Sequence, residues 1–134
     1  MKANYDEALT HYRRYLEIST QTGFQWGISG ACSNIGSVYL KKGDPLRAEE
    51  YFARYLSISQ RIGDTKGTAL SHLYLGKIYM HGGKRSKAKR SLSNAENLFS
   101  RMHDQVHLKE VKTLLMELGT GRKKERTPGW DICP

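Results

Sequence analysis

The chain repeats itself at a spacing of forty residues, and that spacing limits it to few architectures. Asn4, Ala8, Tyr12, Tyr15, Leu16, Ile18 and Gly23 recur as Asp44, Ala48, Phe52, Tyr55, Leu56, Ile58 and Gly63. Ala31, Ile35, Gly36, Tyr39, Gly43, Ala48 and Ile58 recur as Ser71, Leu75, Gly76, Tyr79, Gly83, Ala88 and Leu98. A fixed period of this size belongs to stacked units, each burying its apolar face against its neighbours. The expected product is a surface rather than a pocket.

Within each period the apolar residues step by three and four, the spacing of an amphipathic helix, and no alternating β-branched run argues for a sheet. Helix one is expected over residues 4 to 21, with Tyr5, Ala8, Leu9, Tyr12, Tyr15, Leu16 and Ile18 on one stripe. Gly23 should break it, and Gly27 and Gly30 make the next stretch a loop and a flexible helix entry. Helix two is expected from Ile28 to Lys42. Gly43-Asp44-Pro45 then supplies a helix stop, a cap and a first-turn proline. Helix three follows to Arg61, with Leu46 in its apolar set, helix four from Thr65 to His81, and helix five from Arg85 to Met102. Helix six should begin near Asp104, bury Val106, Val111, Leu114, Leu115 and Leu118, and stop at Gly119. Residues 1–119 thus read as the repeat domain and 120–134 as a basic tail without a period. The fold class is all-α, a right-handed α-solenoid of about six helices in antiparallel hairpins.

No apolar run is long enough to span a bilayer, and the first residues lack the apolar stretch of a signal peptide. Only Cys32 and Cys133 are present, so no disulfide framework is indicated. A soluble, intracellular chain is expected. The net charge of +9 is uneven: Lys84, Arg85, Lys87, Lys89 and Arg90 stand together without an acid, and Arg122, Lys123, Lys124 and Arg126 form a second cluster. Such clusters attract acidic partners, or simply solvate a helix face.

The segments Cys32-Ser-Asn-Ile35-Gly36-Ser-Val-Tyr39 and His72-Leu-Tyr-Leu75-Gly76-Lys-Ile-Tyr79 resemble the first (A) helix of the tetratricopeptide repeat family. Gly43-Asp44 and Gly83-Lys84 resemble its turn, Ala48 and Ala88 its second-helix (B) alanine, and Phe52 and Leu92 its large apolar position. The resemblance covers about residues 4 to 118, as a half repeat, two whole repeats and a closing A helix. Cys32 and His72 stand where tryptophan is usual, and Met116 replaces a small glycine. The forty-residue period is similar to the lengthened repeats of kinesin light chains, of LGN/Pins adaptors and of some ciliary members. In this register helix one is a B helix without its A partner. Either the chain belongs to a longer array or something else covers that edge. Self-association through it is one such cover. Gly36 and Ala48 are expected to be small because helices approach there, with Tyr39 and Phe52 filling the gap between hairpins.

The resemblance implies a non-catalytic protein-binding scaffold or adaptor, cytoplasmic with cytoskeletal or ciliary settings, that takes a peptide or partner surface in a concave groove lined by A helices. Its groove positions fall on Ser33, Asn34, Ser37, Leu40 and Lys41, then on Leu73, Tyr74, Lys77, Met80 and His81. Asn34 is the leading residue, because its amide can bond a peptide backbone as both donor and acceptor. A continuous Asn ladder is absent, since Tyr74 and Leu114 occupy the next rungs. Lys41, Lys77 and His81 make the groove weakly basic and suit an acidic ligand.

No catalytic constellation, cofactor motif or metal site is indicated. His103 and His107 stand four apart, but no third ligand accompanies them, and a helix cap at Asp104 accounts for the segment. The alternative to a protein partner is nucleic acid or another polyanion bound at the clusters over 84–90 and 122–126. Against it, Tyr12, Tyr15, Tyr39, Tyr55 and Tyr79 fall at buried repeat positions rather than on a stacking platform.

Overall fold

The computed structural model describes residues 4–120, and among them it contains six α-helices and no strand. They are α1 (Tyr5–Thr22), α2 (Gln25–Lys41), α3 (Pro45–Ile62), α4 (Thr65–His81), α5 (Arg85–Arg101) and α6 (Gln105–Thr120). The tail, with its basic cluster over 122–126, lies outside the described residues apart from Thr120, which closes α6.

The helices are punctuated every twenty residues. Gly23, Gly43, Gly63 and Gly83 have φ of 71°, 80°, 75° and 72°, and His103 takes the fifth position at 56°. This left-handed backbone lets the next amide turn back onto a carbonyl five residues earlier, as in Phe24 N–H to Ser19 O (2.9 Å), Asp44 to Tyr39 (2.8 Å), Lys84 to Tyr79 (2.9 Å) and Asp104 to Phe99 (3.0 Å). A Cβ is unfavourable in this conformation, so His103 holds strain that its four counterparts avoid. His103→Gly is therefore expected to stabilise the chain by about 1 kcal/mol, read as a raised urea midpoint at unchanged slope; an unchanged midpoint would show that the turn is already relaxed.

Side chains close the opposite ends. Asn4, Asp44, Asp64 and Asp104 accept the backbone N–H three residues on, at 3.1, 3.1, 2.9 and 3.1 Å. Asp104 also holds His107 Nδ1 at 2.7 Å, while the imidazole stacks on Phe99 with ring centroids 4.9 Å apart. Desolvation alone would raise the Asp104 carboxyl, but the hydrogen bonds and charge of His107, with Lys66, outweigh it and hold the group below its ordinary value. The His103–His107 spacing thus serves a helix cap.

The chain divides into two compact units at Gly63. In the first, α2 packs against both α1 and α3, so ten of its residues are buried, including Ile28, Cys32, Ile35 and Tyr39. Cys32 is fully enclosed, and burial pushes its thiol up, with Arg54 opposing in part. In the second, α5 packs against α4 and α6, and Ala69, Leu73, Leu92, Ala95, Phe99, Leu108, Val111 and Leu114 form the core.

Several expectations change here. The loop expected around Gly27 is helix, and glycine is needed there because a Cβ would lie 2.5 Å from Ser19 Oγ and 2.6 Å from Phe24 Cδ2. The glycine lets the first turn of α2 close onto the end of α1. Gly119 lies inside α6 rather than stopping it. Phe52 rests on Gly36 within the α2–α3 hairpin, where a Cβ would be 3.0 Å from its ring, and so does not fill a gap between hairpins. Tyr15 and Ile18 are about half exposed, because α1 packs on α2 along one flank only. Leu46 and Val106, expected inside, are 76% and 79% exposed, since each sits in a first helical turn that points away from the neighbouring helix.

Candidate binding face of the second helix

Because α2 is enclosed by α1 and α3, little of its circumference stays accessible. Trp26, Gly30, Ser33, Asn34, Ser37 and Lys41 are the positions beyond its first residue that are not buried. At 100° per residue they fall within an arc of roughly 100°. Trp26 is 55% exposed at one end, Lys41 is exposed at the other, and Asn34 is exposed between them. The floor is low: a Cβ at Gly30 would meet nothing within 4 Å, and Ser37 Oγ turns back to donate to Ser33 O at 3.0 Å. The rise of an α-helix puts Asn34 about 12 Å and Lys41 about 22 Å from Trp26 along the axis.

Three features hold this face in place. Arg13 of α1 donates a hydrogen bond to the Tyr39 hydroxyl, Lys42 pairs with Asp6 at 3.2 Å, and Tyr39 stacks on Tyr51 of α3 with ring centroids 5.8 Å apart. On the far side, the buried Ser29 and Ser59 hydroxyls meet at 3.4 Å. Sequence reasoning missed Trp26 because it began the helix at Ile28 and left the residues just before it as a loop. The signal available was its step of seven and eleven residues to Ser33 and Ser37.

On α4 the corresponding positions are placed differently. Leu73, expected on the binding face, is 1% exposed in the core that α6 completes. Lys77 is 8% exposed, and its Nζ meets Glu110 Oε1 of α6 at 2.5 Å, so its charge is matched within the chain. Tyr74 is half-buried, and His81 is exposed at the end of the helix. Leu40, also assigned to the groove, is fully buried, and Met80 packs at the edge of the second core. Of the ten groove positions, Ser33, Asn34, Ser37 and Lys41 of α2 form one open face.

The first basic cluster, Lys84, Arg85, Lys87, Lys89 and Arg90, is exposed throughout. Arg85 donates to Leu118 O, and Lys87 sits over the Tyr79 ring at 5.7 Å. Among the described residues no group of three or more His, Cys, Asp or Glu is placed to hold a metal ion, and no helix is long and apolar enough to cross a membrane.

The open face and the hairpin that carries it coincide with a known repeat. Residues 29–61 match the family model for the tetratricopeptide repeat. The matched tetratricopeptide repeat begins in the second turn of α2 and runs to the penultimate residue of α3, so it contains Ser33, Asn34, Ser37 and Lys41, with Trp26 just before it. Tetratricopeptide repeats generally mediate protein–protein interactions and typically act as non-catalytic scaffolds. Comparison with curated proteins returned no match.

Proposed function

We propose that this chain is a non-catalytic adaptor that holds an extended peptide of a protein partner along the exposed face of α2. The observation carrying this reading is the combination on one helix face of an exposed aromatic, an open floor, a side-chain amide and a cation. Each has a role in peptide capture. Trp26 offers a large apolar area for an anchor side chain. Asn34 can accept from and donate to one peptide unit, and the glycine and serines leave room for the backbone to approach. Lys41 favours an acidic residue about seven positions from the anchor, since an extended chain covers roughly 3.3 Å per residue.

The lengthened type similar to kinesin light chains and LGN/Pins, and a cytoplasmic, cytoskeletal or ciliary setting, belong to the same reading, which rests on the forty-residue period. The half-exposed Tyr15 and Ile18 of α1 support self-association as a second contact, which light scattering across a concentration series would reveal as a rising mass.

The test is a fluorescence polarisation titration with acidic peptides selected from a random library on the wild-type chain. Trp26→Ala is expected to weaken binding about thirtyfold and Asn34→Ala up to about tenfold, with Lys41→Glu abolishing the preference for acidic residues. Equal affinity in all three variants would remove the α2 face from the function.

A further inference from the structure

We propose that the exposed face of α5 binds the sugar–phosphate backbone of a nucleic-acid duplex. This is a second surface, independent of the peptide face on α2. Ser86, Lys89, Arg90, Ser93, Asn97 and Arg101 are all exposed and fall within an arc of roughly 120° on the helix. The one acid of α5, Glu96, is half-buried at the edge of that arc. Among the described residues Lys89, Arg90 and Arg101 form no ion pair, whereas Lys42, Arg47 and Lys77 each meet a carboxylate. The outward faces of α1 and α3 mix signs, with Glu7, Glu17, Glu49 and Glu50 among their arginines. The α5 arc thus gathers three cations with hydroxyls and an amide and carries no carboxylate, whereas the α2 face has a single cation, Lys41.

That chemistry matches a phosphate backbone. Arginine, lysine, serine and asparagine side chains are the ordinary partners of phosphate oxygens, and such contacts position a protein without reading bases. Arg90 and Arg101 lie about 17 Å apart along the axis, enough for their long side chains to reach strands on both sides of a duplex groove about 12 Å wide. The burial of Tyr39 and Tyr55 weighs against single strands, whose bases stack on aromatic rings. It does not weigh against a duplex. Phe99, the one aromatic residue of α5, is fully buried, so this face offers no stacking platform and its affinity must come from charge.

The experiment titrates the full chain into labelled DNA and RNA duplexes of about 20 base pairs, by fluorescence anisotropy, between roughly 50 and 200 mM salt. Both duplexes should bind, with log K falling against log salt at a slope near −3, about −0.9 for each of three phosphates neutralised. Lys89→Gln/Arg90→Gln should weaken binding at least tenfold and make the slope shallower by about 2 units, and Arg101→Gln by about 1. Unchanged helicity by circular dichroism ties either loss to the face itself. Absence of binding at low salt overturns the proposal. So does a slope unaffected by these substitutions, which would assign the attraction to other cations such as those over 122–126. Displacement of the duplex by polyglutamate at equal charge concentration would also overturn it, and would identify an acidic protein as the partner.

Discussion

Phe52→Ala is expected to destabilise the first unit by about 3–5 kcal/mol. Phe52 is fully buried on α3, and its ring lies against the backbone of Gly36 on α2. Truncation loses the transfer energy of the ring and leaves a void that the neighbouring backbone cannot collapse into, because α2 is held on its other side by α1. Against a typical domain stability of about 5–15 kcal/mol the loss is large. Urea unfolding followed by helicity would show a midpoint fall. A change below about 1 kcal/mol would mean that the hairpin closes without the ring. The partner substitution sharpens the reading. Gly36→Ala places a methyl 3.0 Å from the ring in the wild type, and its three nearest neighbours, all atoms of that ring, are gone once Phe52 is alanine. The double variant should therefore be more stable than the sum of the single effects predicts, as expected for residues in contact.

The second unit contains a tighter version of the same contact. A Cβ at Gly76 would lie 2.7 Å from Leu92 Cγ and 2.6 Å from Cδ2, and Leu92 is fully buried. The overlap falls on the branch of an enclosed side chain, with no free end to swing aside. Glycine-to-alanine exchange in a helix ordinarily gains up to about 1 kcal/mol from backbone entropy, so the sign depends on whether packing outweighs it. Gly76→Val adds two further methyls and a stiff β-branch, and the overpacking should dominate, at roughly 3 kcal/mol. Thermal melts of Gly76→Val alone and together with Leu92→Ala provide the check. Relief of the defect by the second substitution is expected, and equal melting temperatures of Gly76→Val and wild type would show that α4 and α5 separate freely.

Both contacts show how far the sequence could be read. The small residues at 36 and 76 and the large ones at 52 and 92 were legible as repeat partners, and the ring of Phe52 and the side chain of Leu92 do meet those glycines. The direction of the contact was not legible: Phe52 was expected to face a neighbouring hairpin and instead packs within its own. Periodicity reports which residues share a helix face. It does not report which face finds a partner.

The binding face followed the same rule. Ser33, Asn34, Ser37 and Lys41 were implied by the resemblance to tetratricopeptide repeats, and all four remain accessible on α2. Leu73 and Lys77 hold the equivalent register on α4 and are buried there, because α6 supplies Leu108, Val111 and Glu110 against that face. Trp26 belongs to the face because α2 starts at Gln25, three residues before the expected Ile28, with Gly27 packed against Phe24.

The sequence by itself determined the helices and their turns, because a left-handed glycine, an Asx cap and a stripe at three- and four-residue steps act within a few residues of chain. His103 extends that rule, since the hydrogen bonding around it reproduces the glycine turns despite its Cβ. The tertiary structure decided which faces stayed open. Burial depends on which helix lies alongside, and that is settled by side-chain volumes meeting across tens of residues rather than by local pattern.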